Sequence, residues 1–487
     1  MHSMVEVLKS CSEKTPDRLF AADHRSNEYS YKEAWEAVKK TACVLSENCG
    51  LKKGSRVVAE CGQDVPFLML DMACELMGAV FVPAEYNASA ESIRRICEDT
   101  EAELFVSLKS SVEICRNISY EEIFSAEAGN REFELPEEKD IAEILYTTGT
   151  TGTSKGIVIS NDANVALAEN IKYGVEMKEG NVEFIPIPIS HSHGLRCCYA
   201  NFLNGGSVVL SDGLLNVKKA FRMIDAYKVT AMDISPSAAQ MLIKLSKGAF
   251  WEYGRRMDYI QIGTAALPEG LKEMLVNELE GVRLYNFYGS TESGRSCVLD
   301  FSKEKDRKNC IGKPTVNAEI VFTDDDRKII ASSKENTGLL ASRGRMNMEC
   351  YWKNPELSAG ICGDGYIFTN DVGYMDEEGF VYVIGRKGDV ITYNGIKIAP
   401  EEIEQEAVGY DGITDAACVP IRNEAGATVP GLFISVADKD KFDGKAYIAY
   451  LKEHLDGNKM PKRIRIIERI PRTANGKIIR RELADQG

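Results

Sequence analysis

The chain has 487 residues, of which 44% are hydrophobic and 27% charged, with a formal net charge of −15. This is the balance of a soluble globular protein too long for one simple core, so several domains are expected. The acidic excess argues against nucleic acid as the main partner, and no apolar run approaches the ~18 residues of a membrane span.

The opening Met1-His2-Ser3-Met4-Val5-Glu6-Val7 lacks the charged-then-apolar layout of a signal peptide, so a cytoplasmic enzyme is expected. The 14 cysteines are scattered, with no C-x-x-C pair and no paired histidine spacing. Free buried thiols are therefore expected rather than zinc or iron–sulfur sites, and Cys197 and Cys198 read as packing residues.

Tyr31, Ala34, Ala37, Val38, Ala42 and Leu45 recur at helical spacing, predicting an amphipathic helix over 30–50 closed by Gly50 and Gly54. A strand over 56–59, an apolar helix over 66–77 and a strand over 78–83 follow. A helix over 90–98 capped by Ser89 and a strand over 104–106 come next. The alternation implies a layered α/β domain with parallel strands. The acidic stretch 121–140 reads as a solvated linker.

Next comes Thr147-Thr148-Gly149-Thr150-Thr151-Gly152-Thr153-Ser154-Lys155-Gly156, between the apolar runs Ile144-Leu145-Tyr146 and Ile157-Val158-Ile159. Glycines let consecutive N–H groups form an anion nest, hydroxyls add neutral donors, and Lys155 adds a charge. This reads as a triphosphate grip between two strands. It is not a Walker loop, because Lys155 precedes glycine and leads into a strand instead of a helix.

Asn161 or Asp162 would cap a helix through Asn170, followed by a strand over 207–210 and a helix over 216–227. Gly263-Thr264-Ala265-Ala266 leaves a slot of small residues after the strand-like Tyr259-Ile260-Gln261-Ile262. A plain strand–turn–helix entry fits that segment equally. After a helix over 271–279 and a strand over 282–285 stands Asn286-Phe287-Tyr288-Gly289-Ser290-Thr291-Glu292. Ligands collect where strands of an α/β sheet end. Tyr288 offers a flat face for a base, Gly289 close approach, and Glu292 a hard oxygen for magnesium. Taken alone, a capped turn accounts for these residues as well.

From about 310 to 385 short β-like pieces alternate with turns, suggesting a small β-rich subdomain. Gly385-Arg386-Lys387-Gly388-Asp389 marks a boundary. It divides a large N-terminal domain, 1–387, from a compact α+β domain, 388–487, with a helix over 445–455 and a strand over 464–467. Near its end Gly476-Lys477 leaves a turn.

Together these elements resemble the adenylate-forming superfamily of acyl-CoA synthetases, peptide-synthetase adenylation domains and luciferases, over nearly the whole chain. The threonine loop resembles its pyrophosphate-binding loop, and Tyr288-Gly289-Ser290-Thr291-Glu292 its Tyr-Gly-x-Thr-Glu element. Gly385-Arg386 with Asp389 resembles the Gly-Arg-x-x-Asp hinge, Asp371 the ribose-binding aspartate, and Gly476-Lys477 the C-terminal Gly-Lys pair. Gly338-Leu339 and Tyr351-Trp352-Lys353-Asn354-Pro355-Glu356 also fit. Gly388 stands where Asp or Lys is usual, Asn370 replaces a glycine, and Thr392 stands where many CoA ligases carry lysine.

The resemblance implies an α/β enzyme with a mobile C-terminal domain. It implies that ATP and a carboxylate form an acyl-adenylate, with Mg²⁺ bound, and that CoA then takes the acyl group. Lys477 would bridge carboxylate and α-phosphate, with Thr148 and Glu292 as further catalytic residues. Thr147, Thr148, Gly149, Thr150, Thr151, Gly152 and Lys155 would hold phosphates. Glu292 and Thr147 would hold the metal. Thr264, Ala265, Ala266, Asn286, Phe287, Tyr288, Gly289, Ser290 and Thr291 would complete the nucleotide site, with Asp371 and Arg386 on the ribose. His191, Gly263 and Gly289 would border the acyl pocket, Gly395 the CoA channel, and Gly388 would lie in the hinge. A packed core position fits His191 equally, and His191 with His193 lacks a third partner for a metal.

Pro400-Glu401-Glu402-Ile403-Glu404 and the segment Pro186-Ile187-Pro188-Ile189-Ser190-His191-Ser192-His193-Gly194 resemble CoA-ligase forms. Loading of a carrier-protein phosphopantetheine is the alternative, and a non-catalytic nucleotide-binding protein is the alternative of another class. The acid is open, with Met232, Arg196 and Arg295 as candidate contacts.

Overall fold

A computed structural model describes residues 1–86, 88–108, 112–148, 154–393, 396–422, 428–455, 457, 459–472 and 478–484. They form two compact units, Met1–Arg307 with Ile311–Ile320 and Ser342–Ile367, and Lys308–Cys310 with Val321–Ala341 and Phe368–Gly487. No helix among the described residues is long and apolar enough to cross a membrane.

The first unit holds two sheets. In one, Arg56–Glu60 lies parallel to Val80–Ala84 and to Leu104–Ser107, which pairs in parallel with Arg116–Ser119. Ile141–Thr148 joins Val80–Ala84 in parallel and turns back as an antiparallel hairpin with Ser154–Ser160. Cys350–Tyr351 closes the hairpin's outer edge. In the other sheet, Leu19–Asp23, Ser207–Leu210, Val182–Ile185, Ala231–Ile234, Tyr259–Ile262 and Arg283–Ser290 run parallel in that order. Gly294–Asp300 then returns antiparallel. The parallel strands therefore end on a common edge, where the α/β rule places ligands.

One core takes Val57, Phe81 and Leu104 from the first sheet and Phe20, Ile185, Val208 and Tyr259 from the second. Helix Val65–Met77 lies inside it: every residue but Pro66 is buried, including the two acids Asp71 and Glu75. Asp64 caps it and Gly78, at φ 72°, ends it. Each such large apolar side chain contributes about 1.5–3 kcal/mol by leaving water.

Three local expectations change. The helix expected over 30–50 starts on a Ser30–Glu33 capping box, but its regular part is Tyr31–Cys43, and Val44–Asn48 widens into a π turn. The helix expected behind Asn161 or Asp162 is Asn161–Gly174, and Ser160 caps it by accepting the Ala163 N–H. Asn161 instead donates to the Glu137 carbonyl, and Asp162 pairs with Arg345. The stretch 121–140 is not all linker. Helix Tyr120–Ser125 starts on a Ser119–Glu122 capping box and buries Ile123.

In the second unit, Asp371–Met375 pairs antiparallel with Val381–Arg386. Strand Ile413–Arg422 pairs antiparallel with Thr428–Val436, which lies parallel to Arg463–Ile466. Alternate residues of Ile413–Arg422 serve two faces. Ala416 and Cys418 pack with Ile403, Tyr447 and Leu451, while Ala417, Val419 and Ile421 pack with Ile470 and Leu483.

Candidate active site

The hairpin places Thr147 opposite Lys155 and Thr148 opposite Ser154. Gly149, Thr150, Thr151 and Gly152 lie outside the described residues. Gly156 is required by close packing: a Cβ there would stand 2.9 Å from Ile144 and 3.1 Å from Trp352. The Trp352 backbone N–H also donates to the Gly156 carbonyl at 2.7 Å. Edge strand Cys350–Tyr351 is thereby fixed beside the loop.

Tyr351 is the residue that gathers this region. The Lys155 ammonium lies over its ring, 5.5 Å from the centroid. Its hydroxyl donates to Glu292 Oε1 at 2.8 Å. Burial first, and then the Glu292 charge, push the Tyr351 phenol far above its ordinary range, so it stays a donor. A loop lysine on one sheet and a carboxylate from the other thus share one side chain. Glu292 is half-buried, and its Oε2 has no bond among the described residues. A hard carboxylate oxygen with one side open suits Mg²⁺.

Tyr288 is half-buried, and Gly289 and Ser290 are exposed at the end of Arg283–Ser290. Gly289 lies against the returning strand, where a Cβ would overlap the Gly294 carbonyl oxygen. Ser290 shares a hydrogen bond with Ser293 at 3.1 Å, and Thr291 is half-buried. Thr264, Ala265 and Ala266 are exposed beyond Tyr259–Ile262, with Thr264 at φ 74°. Left-handed backbone at a threonine is strained, a mark of functional turns. Asn286 is spent on structure, donating to the Ile262 carbonyl at 2.9 Å. Phe287 faces away from Tyr288 by strand alternation and is buried under the Arg295 guanidinium, 4.7 Å from its ring centre. Its side chain lies on the opposite face of the strand from Tyr288.

In the second unit Asp371 and Arg386 face each other across an antiparallel pair, 3.5 Å apart. The Thr369 hydroxyl accepts the Asp371 N–H and donates to Leu340. Gly388 has φ 97°, a conformation suited to glycine. Arg480 joins Glu401, Glu404 and Asp389. Lys477 and Gly395 lie outside the described residues.

His191 is partly exposed, 3.5 Å from Glu85, which corrects the packed-core alternative. The slot expected beside Gly263 is filled: a Cβ there would overlap His193 Cε1. His193 Nε2 bonds Asp233 Oδ1 at 2.9 Å, and Cys197 Sγ donates to Asp233 Oδ2 at 2.8 Å. Arg295 reaches Cys197 Sγ at 2.9 Å and Gln261 Oε1 at 2.8 Å. Cys197 is thus a hydrogen-bonding residue, not only packing, and His193 does acquire two neighbours with ligand-type atoms. Their spacings are those of shared protons. Burial first, and then Arg295, hold His193 below its usual range, so it is neutral near pH 7.

Arg196 is not available to a substrate. It is buried and pairs with buried Glu143 at 2.8 Å, while Met232 is buried in its strand. Tyr199 donates to Glu143 at 2.8 Å and also bonds Asp71. Burial first, and then Glu143, push the Asp71 carboxyl far up. This network ties the strand entering the threonine loop to helix Ser192–Leu203. Its members lie far apart in sequence, so no motif announces it.

A model of the AMP-binding enzyme family matches residues 8–352, and one of the AMP-binding enzyme C-terminal domain matches 402–477. A 2-succinylbenzoate–CoA ligase from Geobacillus kaustophilus is 25% identical over 492 residues, covering 99% of this chain and 98% of its own. A probable CoA ligase from Humulus lupulus is 26% identical over 484 residues, covering 93% and 87%. Among solved structures, o-succinylbenzoate CoA synthetase from Bacillus subtilis, in complex with an acyl-adenylate intermediate, superposes with a TM-score of 0.86 at 23% identity, covering 98% and 97%. ATP-bound MatB from Rhodopseudomonas palustris gives 0.87 at 21%, covering 99% and 98%.

Proposed function

The chain belongs to the AMP-binding enzyme family, and we propose that it is an AMP-forming acid–CoA ligase. The observation that carries the reading is the Lys155–Tyr351–Glu292 group beside the threonine loop. CoA ligases matched over nearly their full length support the choice of acceptor.

In the first half-reaction a carboxylate oxygen attacks the α-phosphorus of ATP. The bond to the bridging oxygen breaks, and pyrophosphate leaves with its electron pair. Negative charge grows on the α-phosphate and on the leaving group, so preorganised donors supply most of the acceleration. Lys477 takes the bridge between carboxylate and α-phosphate. Lys155, Thr148, Gly149, Thr150, Thr151 and Gly152 take the departing phosphates. Glu292, with Thr147, would hold Mg²⁺, which when bound neutralises phosphate charge; Tyr351 orients Glu292 for it. Tyr288, Ala265 and Ala266 flank adenine, and Asp371 with Arg386 takes the ribose.

In the second half-reaction the CoA thiolate attacks the acyl carbon and AMP leaves. Residues 388–487 turn about Gly388 between the two steps, the strand near Gly395 lines the thiol's path, and His191 borders the acyl group. All fourteen cysteines are free, which suits a reducing compartment, and a cytoplasmic location belongs to the same reading.

Acid-dependent ATP–pyrophosphate exchange across an acid library, followed by CoA or a holo-carrier protein, tests the proposal. Exchange followed by CoA thioester supports it. Exchange with carrier loading but no CoA consumption moves the acceptor to the carrier. ATP binding without exchange for any acid leaves a nucleotide-binding protein.

A further inference from the structure

We infer that His193, anchored by buried Asp233, closes the acyl cleft beside Gly263 and restricts the enzyme to short carboxylic acids. The inference rests on the acid-activating reading above and names the substrate class of that site. The relatives leave acyl size open, since they include both 2-succinylbenzoate and long-chain-fatty-acid ligases.

Two observations carry it. The first is occupancy. Gly263 follows Ile262, whose partner across the sheet is Asn286, three residues before Gly289. The His193 ring stands against Gly263, where a Cβ would lie 2.3 Å from its Cε1, so an acyl group held between Gly263 and Gly289 meets the ring on that side. The ring is not loosely placed. Its side chain is 16% exposed, Asp233 is fully buried, and their bond is 2.9 Å.

The second is what lies behind the ring. Asp233 is level with Gln261 in the sheet, one strand position deeper than Ile262. Around them stand Cys197, Arg295 and Glu183, and Gln261 donates to Glu183 at 2.6 Å. An alkyl tail pushed past His193 meets this hydrogen-bonded polar group and would strip its partners, instead of entering an apolar tunnel. Buried polar groups left unpaired are costly, so long chains are rejected.

The test uses the full chain and exchange with straight-chain acids from acetate to dodecanoate, on wild type, His193→Ala and Asp233→Asn. Wild type should lose roughly 10-fold or more for each methylene beyond its limit. Both variants should extend the limit toward longer acids. Melting shifts with acyl-sulfamoyl adenosines of graded chain length give the same limit on wild type by binding alone. Equal wild-type rates with butyrate and decanoate overturn the inference, as does a preference for bulky aromatic acids. A wild-type limit unmoved in both variants also overturns it. No exchange with any acid and no analogue binding would instead defeat the acid-activating reading itself.

Discussion

The Tyr351 hydroxyl donates to Glu292 at 2.8 Å, joining an edge strand of one sheet to the turn after the last parallel strand of the other. One carboxylate oxygen is thereby held, and the other has no bond among the described residues. Tyr351→Phe should raise the Mg²⁺ concentration needed for half-maximal exchange by about 10-fold, with little change at saturating Mg²⁺. An unchanged requirement would remove Tyr351 from the metal's support.

The Arg196–Glu143 pair predicts a stability effect without a chemical one. Both side chains are buried, so Arg196→Ala leaves an unpaired carboxylate beside Tyr199 and Asp71. A loss of about 3–5 kcal/mol in urea unfolding is expected. A loss below about 1 kcal/mol would mean that the site relaxes or hydrates freely.

The candidate site could be nominated from sequence because its motifs are local. The threonine loop and Tyr288 to Glu292 are each one contiguous stretch of sequence, and the glycines and hydroxyls announce them. The parallel strands were legible because β-branched runs alternate with amphipathic helices. Three things were not. His193 filling the space at Gly263 joins residues 70 apart, and nothing in either segment encodes the meeting. Tyr351 was visible only as a residue in a motif, not as the partner of Lys155 and Glu292. Ser160 outcompeted Asn161 as a cap because Asn161 had a better use, the Glu137 carbonyl.

Buried acids give a pH dependence. Glu75 accepts the Met4 and Val5 N–H groups at 2.9 and 2.7 Å, and burial pushes its carboxyl up to about 7. Burial, and then Asp233, push Glu183 up to about 7 as well. An unfolded glutamate titrates near ~4.3, so between there and 7 the folded chain holds protons that the unfolded chain has released. These groups therefore favour folding at low pH, and their contribution is lost as pH rises through about 7. Glu75→Gln should flatten part of the fall in melting temperature between pH ~5 and ~8. A variant curve parallel to wild type would contradict this.

Gly388 has room for a methyl group, so Gly388→Ala tests the backbone alone. At φ 97° the substitution costs this conformation about 1–2 kcal/mol. Thioester formation should slow more than pyrophosphate exchange, because only the former needs the turn. Equal slowing of both would contradict a hinge here.

The central claim is that a carboxylate oxygen attacks the α-phosphorus of ATP. It is tested most directly by supplying an accepted acid with a heavy-oxygen carboxylate and analysing the products by mass spectrometry. Heavy oxygen is expected in AMP, with unlabelled pyrophosphate. Heavy oxygen in inorganic phosphate, with ADP as the nucleotide product, would place the attack on the γ-phosphorus and contradict it.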